Sequence, residues 1–219
     1  SELKRIKQDL ENLVNNRTSE LRDANLKLEK LAYYDALTNI PNRRAFLEAF
    51  SKAFNFAKRN HYPLLVGVAD VDHFKAINDN YGHAYGDDVL TVVAKTMKEF
   101  FRQEDAIGRI GGEEFAFCIV PMNPASPYQL VDRFRERISI LHETFPMLKG
   151  RQVTLSVGAV FIDTFDDVTT KQLLCEADEA LYRAKDSGRN TVVCKCDEIK
   201  PSDSRITEVK ISVTPQRIS

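Results

Sequence analysis

The chain has 219 residues, 31 Lys and Arg against 32 Asp and Glu, a formal net charge of −1 and 43% hydrophobic residues. That length holds one core domain with appendages. The charge balance argues against nucleic acid or a polybasic membrane contact as partner, and no apolar run is long enough to span a bilayer. The four cysteines, Cys118, Cys175, Cys194 and Cys196, form neither a C-x-x-C pair nor a zinc spacing. Cys118 and Cys175 fall in apolar patterns and are expected as packed thiols, which fits a reducing cytoplasm. No signal peptide opens the chain, and Ser1 in place of Met suggests a fragment whose N-terminal sensor region precedes it.

Residues 1–35 are dense in charge and lack Pro and Gly. Leu3, Ile6, Leu10, Val14, Arg17, Leu21, Ala24, Leu28 and Leu31 recur at heptad spacing with one stutter. This predicts a two-stranded coiled coil that imposes dimerisation, rather than a lone amphipathic helix lying on the domain. Asp35 to Arg44 reads as a turn, with Pro41 near the first position of a helix that reaches about Asn60. Phe46, Leu47, Phe50, Phe54 and Ala57 share one face of it. Pro63 to Ala69 is a buried-type strand that ends in Asp70-Val-Asp72. Carboxylates at the end of a dry strand seldom serve packing. Asp70 is expected as a metal ligand, and Asp72 as the cap of the next helix, which carries Phe74, Ile77 and Tyr81. Asn78 to Asp88 reads as a polar loop with two glycines. Asp87 or Asp88 either caps the following helix or lines a pocket for a base edge.

The segment Ile107 to Val120 places Gly111-Gly112 between two β-forming runs. It predicts a tight two-residue hairpin with both glycines at positive φ. Glu113 and Glu114 follow at once, then a dry strand from Phe115. Bare glycines admit a phosphate, and adjacent carboxylates suit Mg²⁺, which takes hard oxygen ligands. If strand alternation starts at Glu113, only one of the two glutamates can face a metal; a bulged tip would let both do so. Tyr128 to Phe145 is expected as a helix, Val153 to Phe161 as an alternating strand, and Leu173 to Ala184 as a last helix stopping at Gly188. A short strand spans Thr191 to Cys194. The tail from 197 carries little core pattern and is expected to be poorly ordered, though Ile206 to Val213 could pair as an edge strand. The whole is an α+β sheet with helices packed on it: a signalling helix at 1–35, a catalytic domain at 36–196 and a tail at 197–219.

Six separated segments, in order, carry a resemblance to the GGDEF domain of diguanylate cyclases. They are Asp35-Ala-Leu-Thr-Asn-Ile-Pro-Asn-Arg-Arg44, Asp70-Val-Asp-His-Phe-Lys-Ala-Ile-Asn-Asp79, Gly82-His-Ala-Tyr-Gly-Asp87, Arg109-Ile-Gly-Gly-Glu-Glu-Phe115, Ser156-Val-Gly158 and Ala184-Lys-Asp-Ser-Gly-Arg-Asn190. The signature's third position is Glu113, which the family also uses, and Ile40 stands where Leu is more usual. The resemblance implies a ferredoxin-like core similar to nucleotidyl cyclases and polymerase palms. It implies condensation of two GTP into cyclic di-GMP and pyrophosphate by a homodimer. The cofactor would be Mg²⁺, two ions per GTP site, with Mn²⁺ able to replace it. By this resemblance Asp70, the Val71 carbonyl, Glu113 and Glu114 hold metal, Glu113 is the proton acceptor and Lys75 stabilises the transition state. The amides of His73 and Phe74, the bare Gly111 and Gly112, and the charges of Lys185 and Arg189 would serve the triphosphate. Asn78 and Asp87 would read guanine, and His83 would add a further contact. Arg102, Asp105 and Arg133 match the family's inhibitory product site; in isolation R-x-x-D would be a helix surface pair. The rival expectation is a catalytically silent domain that binds cyclic di-GMP as a receptor.

Overall fold

A computed structural model of the chain describes residues 2–122, 126–148, 150–196 and 207–208. Helix α1 (Glu2–Tyr33) is followed by α2 (Arg43–Asn60), β1 (Leu64–Val71), α3 (Phe74–Tyr81) and α4 (His83–Phe100). Then come β2 (Ala106–Arg109), β3 (Glu114–Ile119), α5 (Pro127–Ser139), α6 (Leu141–Thr144) and a 3₁₀ turn, Pro146–Leu148. The described chain closes with β4 (Leu155–Ile162), α7 (Thr170–Asp186), β5 (Val192–Cys196) and the two-residue β6 (Thr207–Glu208). The strands form one sheet in the order β2-β3-β1-β4-β5-β6. All neighbours run antiparallel except β4 and β5, which α7 joins as a parallel crossover. This is the α+β architecture expected, with a mixed sheet and helices around it.

Strand β1 lies at the centre and is buried along its whole length. Its residues alternate between two apolar layers. Leu65, Ala69 and Val71 face Val93, Met97 and Phe134 of α4 and α5. Leu64, Val66 and Val68 face Phe46, Phe50 and Phe54 of α2 and Leu181 of α7. Full burial of one such Phe contributes about 1.5–3 kcal/mol, so these layers outweigh any single turn preference. Gly158 explains how closely α7 lies on β4: a Cβ there would sit 2.1 Å from the Leu181 amide nitrogen and 2.2 Å from the Ala177 carbonyl oxygen. Lys185, one turn beyond Leu181, is thereby brought over the end of β1.

Several local expectations are corrected. Helix α2 opens at Arg43 with the Asn42 side chain accepting from the Ala45 amide, while Pro41 pairs with Tyr34 ahead of it. Leu47 is 39% exposed and leaves the buried face. The polar loop at Asn78–Asp88 is instead two helices meeting at Gly82, which ends α3 and starts α4 with φ 85° and ψ 158°. A residue with no Cβ makes that corner, and the buried Tyr85, Val89 and Val93 hold α4 in place. Asp87 and Asp88 are therefore inside a helix and cap nothing. The helix expected at Tyr128–Phe145 breaks at Ile140 into α5 and α6. Strand β4 is buried on both faces rather than alternating. Cys118 is buried as expected, but Cys175 is exposed.

Helix α1 leaves Val14, Leu21 and Leu31 at 54%, 65% and 73% exposure. No helix among the described residues is long and apolar enough to cross a membrane. The tail expectation falls outside the described residues, apart from β6. There Lys195 pairs with Glu208 and Cys196 with Thr207.

Candidate active site

The site gathers at the carboxyl end of β1. Antiparallel register sets Asp70 directly opposite Glu114 of β3 on one side and Ser156 of β4 on the other. Directly paired residues share a sheet face, so Asp70 and Glu114 both project toward α7. The Asp70 carboxylate is buried and lies 2.8 Å from the Lys185 ammonium. Burial pushes the Asp70 carboxyl up; Lys185 partly offsets this, and Glu114 adds to it. The Glu113 carboxyl is also raised, first by burial and then by the Asp70 charge. Anions thus crowd one another here, with one ammonium among them. Among the described residues no three His, Cys, Asp or Glu side chains converge as a metal cage.

The hairpin tip differs from expectation. Neither Gly111 nor Gly112 has positive φ, and the loop is longer than two residues. The amides of Ile110 and Gly111 both donate to the Glu114 carbonyl. Glu113 therefore sits in the loop, and strand alternation begins only at Glu114. Both glutamates can serve one site without a bulge. Gly111 lets the Glu114 carboxylate lie close, since a Cβ there would meet it at 2.2 Å and turn it aside. Gly112 faces open space, and any Cβ there would narrow it. The Glu113 carbonyl accepts from the Val71 amide at 3.2 Å, which ties the tip to the end of β1.

Two residues quoted in the motifs hold this tip from outside. Arg109 donates to the Gly112 carbonyl through Nε and Nη2 (3.1 and 2.6 Å) and to Asp35 Oδ1 through Nη1 (2.8 Å). Asp35 also accepts from the Thr38 amide and hydroxyl. Burial alone would raise the Asp35 carboxyl, but the Thr38 bonds and the Arg109 guanidinium bring it below its ordinary value. The segment leaving α1 is thus bonded, through one guanidinium, to the glycine tip. The signal in the sequence was an Arg two residues before the glycine pair, which spacing alone could not join to Asp35.

Asp72 is not a helix cap. His73 occupies the cap position of α3 with φ 57° and makes no side-chain cap bond. Asp72 is buried and accepts instead from Ser156 Oγ (2.6 Å), Thr154 Oγ1 (2.7 Å) and the Asn190 amide (2.9 Å). The main chain turns back at His73, so its carboxylate points along the sheet rather than onto the helix.

Phe74 and Lys75 open α3, Phe74 buried and Lys75 exposed. Asn78 lies half-buried on α3 with Oδ1 buried and unpartnered. It rests against α4 where Gly86 has no side chain; a Cβ there would fall 1.9 Å from Oδ1. His83 and Asp87 are exposed on the first turns of α4. Arg189 is exposed just beyond α7. Arg102 and Asp105 lie in the turn after α4, not on a helix. They are joined through the Arg102 amide and Asp105 Oδ2 (2.9 Å), not through the guanidinium. Asp105 Oδ1 is buried without a partner, and burial raises its carboxyl. Arg133 on α5 lines a groove of about 760 Å³ with Phe100 and Leu130.

Residues 32–191 match the family described as diguanylate cyclase, GGDEF domain. The chain is 38% identical over 160 residues to the diguanylate cyclase DgcP of Pseudomonas aeruginosa, covering 73% of this chain and 23% of that protein. It is 34% identical over 168 residues to the probable diguanylate cyclase DgcT of Escherichia coli, covering 76% of this chain and 36% of the relative. The match thus spans well under half of either relative's length. Among solved structures, the coiled coil and GGDEF domain of DgcB from Caulobacter crescentus, in complex with c-di-GMP, has a TM-score of 0.72 at 26% identity, covering 84% of this chain and 98% of that one. Diguanylate cyclase SiaD of Pseudomonas aeruginosa, in complex with its activator SiaC, has a TM-score of 0.68 at 32% identity over 88% of this chain and 73% of that one. With its signature tip, carboxylates and fold all in the family's order, this chain belongs, over residues 32–191, to the GGDEF domain family of diguanylate cyclases.

Proposed function

We propose that this chain is a diguanylate cyclase that condenses two GTP molecules into cyclic di-GMP and two pyrophosphates. Each domain would hold one GTP and present it to a second copy. Each 3′-hydroxyl would attack the other nucleotide's α-phosphorus, its proton leaving as the bond to pyrophosphate breaks. The observation that carries the reading is the crowd of carboxylates at the end of β1, where the Glu114 charge adds to burial in raising Asp70, the Asp70 and Glu114 charges do the same to Glu113, and the Lys185 ammonium of α7 meets Asp70. Anions held together under burial suit a divalent cation. Mg²⁺ is bound elsewhere through one or two carboxylates and the substrate's phosphates, so it needs no complete protein cage. Asp70, the Val71 carbonyl and Glu113 would hold it, with Glu114 beside them. When bound, it would supply Lewis-acid stabilisation of the leaving pyrophosphate and acidify the attacking hydroxyl.

The chain's own groups would do the rest. Glu113, raised by burial and by Asp70, would accept the hydroxyl proton. The amides of His73 and Phe74, at the start of α3, would donate to phosphate oxygens. Lys75 would stabilise the transferring phosphoryl group. Lys185 and Arg189 would neutralise the triphosphate, and Gly112 would leave it room. Asn78, whose unpartnered Oδ1 calls for a donor, would read the guanine edge with Asp87, and His83 would add a contact. Product would bind at Arg102, Asp105 and Arg133 and inhibit; the unpartnered Asp105 Oδ1 supports an incoming N–H donor there.

The test is incubation with GTP and Mg²⁺ and identification of the products by chromatography and mass. Cyclic di-GMP and pyrophosphate in a one-to-two ratio, abolished by EDTA, is the expected result. Tight binding of cyclic di-GMP with no synthesis at any protein concentration would instead make the domain a receptor.

A further inference from the structure

We infer that Asp72 is a positioning residue for the triphosphate end of the site: its buried carboxylate holds the turn after α7 and, through that turn, aims Lys185 and Arg189. The inference rests on the reading of the site as one for GTP. The chain leaving α7 runs through three successive residues at positive φ: Gly188 at 111°, Arg189 at 66° and Asn190 at 44°. Only the first is a glycine. An L residue adopts that region at a cost, and two in a row persist only where bonds on both sides over-determine them.

Those bonds are present. On the near side the Arg189 amide donates to the Ala184 carbonyl at 3.2 Å, the six-to-one closure of a helix end. On the far side the Asn190 amide donates to Asp72 Oδ2 at 2.9 Å. The Asn190 side chain is held as well, accepting from Arg135 Nη1 at 2.9 Å, while Arg135 Nε is fixed by Asp132 at 2.7 Å. Asp72 itself cannot drift. Ser156 of β4 and Thr154 just ahead of that strand donate to it, and its amide donates to the Thr154 carbonyl at 3.0 Å. A charged acceptor makes these bonds stronger than neutral ones. Arg189 thus sits between two anchored points, and Lys185, whose ammonium already reaches Asp70, lies on the last turn of the same helix.

Asp72 has a different task from Asp70. It is four per cent exposed and its oxygens are taken by donors from three places, so it acts by hydrogen bonding and not by ligating a cation. This separates two substitutions. In Asp72→Asn the amide oxygen can keep the Asn190 and Thr154 bonds while its nitrogen donates to the Ser156 hydroxyl. Asp72→Ala keeps none of them.

The experiment compares wild type, Asp72→Asn, Asp72→Ala, Arg189→Ala and the Asp72→Ala/Arg189→Ala double variant in the full chain. KM and kcat for GTP are measured with Mg²⁺, alongside amide hydrogen exchange at Asn190. Asp72→Ala is expected to raise KM about tenfold, the worth of one charge-assisted bond, with a smaller fall in kcat. Asp72→Asn is expected to stay within about threefold of wild type. In the Arg189→Ala background, Asp72→Ala should add clearly less than about tenfold, because the part that runs through Arg189 is already lost and only the part through Lys185 remains. Exchange at Asn190 should accelerate in Asp72→Ala while the β1 amides stay protected. If Asp72→Ala does not fold, Asn190→Gly loosens the same turn from the solvent side and takes its place in the double-variant test. Loss of activity in Asp72→Asn as severe as in Asp72→Ala, additive effects with Arg189→Ala, or unchanged exchange at Asn190 would each overturn the inference. GTP affinity by calorimetry separates the two readings. A wild type that binds GTP without making product overturns the cyclase reading, and the affinities of the Asp72 variants then decide this one. A wild type that binds no GTP overturns both.

Discussion

At the scale of the residue, what is missing from a side chain matters as much as what is present. Gly86 gives the Asn78 amide its place, and a methyl group there would overlap Oδ1 at 1.9 Å. The far end of an Asn side chain can swing away at little cost in stability, but it then leaves the position from which it would read guanine. Gly86→Ala is therefore expected to leave the melting temperature nearly unchanged. It should raise KM for GTP and narrow the preference over ATP by about tenfold, since a lost buried hydrogen bond is worth about 1–3 kcal/mol. Parallel kinetics with the two nucleotides measure this, and an unchanged preference would remove Asn78 from the pocket. The same logic applies at the proposed product site, where Asp105 Oδ1 lacks a partner. Arg102 is exposed and bonds Asp105 through its main chain, its amide donating to Asp105 Oδ2 and its carbonyl accepting from the Asp105 amide. Arg102→Ala should leave that turn intact, keep the initial rate and weaken inhibition by added cyclic di-GMP. Progress curves with and without added product, run on both proteins, are the check; equal inhibition in the two would confine Arg102 to a structural turn.

At the scale of the element, the Asp35–Arg109 bond links the exit of α1 to the glycine tip. Asp35 has a carboxyl held below its ordinary value of 3.8. Its folded-state value is thus lower than its unfolded one, so its contribution to stability is complete above the unfolded value. It is lost as pH falls through the folded value. The stability gap between wild type and Asp35→Asn should be full at pH 7 and shrink below about pH 4, where the unfolded carboxyl protonates. Urea midpoints at a series of pH values report it; a gap that stays constant into acid would mean that the charge on Asp35 contributes nothing. Because Arg109 also holds the Gly112 carbonyl, the same variant should slow turnover at pH 7. Helix α7 makes the complementary point. It reaches Asp70 because Gly158 lets its backbone settle against β4, so the position of Lys185 is set by a glycine in a strand.

At the scale of the whole molecule, one domain carries one set of site residues, and the proposed reaction needs two. Helix α1 leaves Val14, Leu21 and Leu31 uncovered in a single chain, as a helix waiting for a second copy would. Specific activity is expected to rise with protein concentration through the range where analytical ultracentrifugation shows dimer forming. Inserting two residues near Leu28 should rotate the domains relative to the upstream coil by about 200°, at roughly 100° per residue, and change the rate without changing the melting of the domain. A per-chain rate that stays flat on dilution into demonstrated monomer would refute a reaction between two domains.

The apolar run of β1 and the glycine-carboxylate segment before β3 were enough, as sequence, to assign a dry central strand with acidic residues at its end. Burial energy summed over a strand or helix face is large beside local preference, so periodicity survives folding. The order of the motifs carried the family in the same way. What the tertiary structure decided were the points where one residue's local preference met a distant partner. The acidic Asp72 reads locally as a helix cap, yet Thr154, Ser156 and Asn190, 82 to 118 residues away, take its oxygens. The stretch Asn78–Asp88 reads as a loop, yet packing of Tyr85 and Val89 makes it helical around one glycine corner. The Gly-Gly pair reads as a positive-φ turn, yet its role is close approach to the Glu114 carboxylate and open space at the tip. Preferences of caps and turns amount to about 1 kcal/mol each, so a single long-range bond or one buried ring reverses them, and sequence spacing does not reveal where that partner will be.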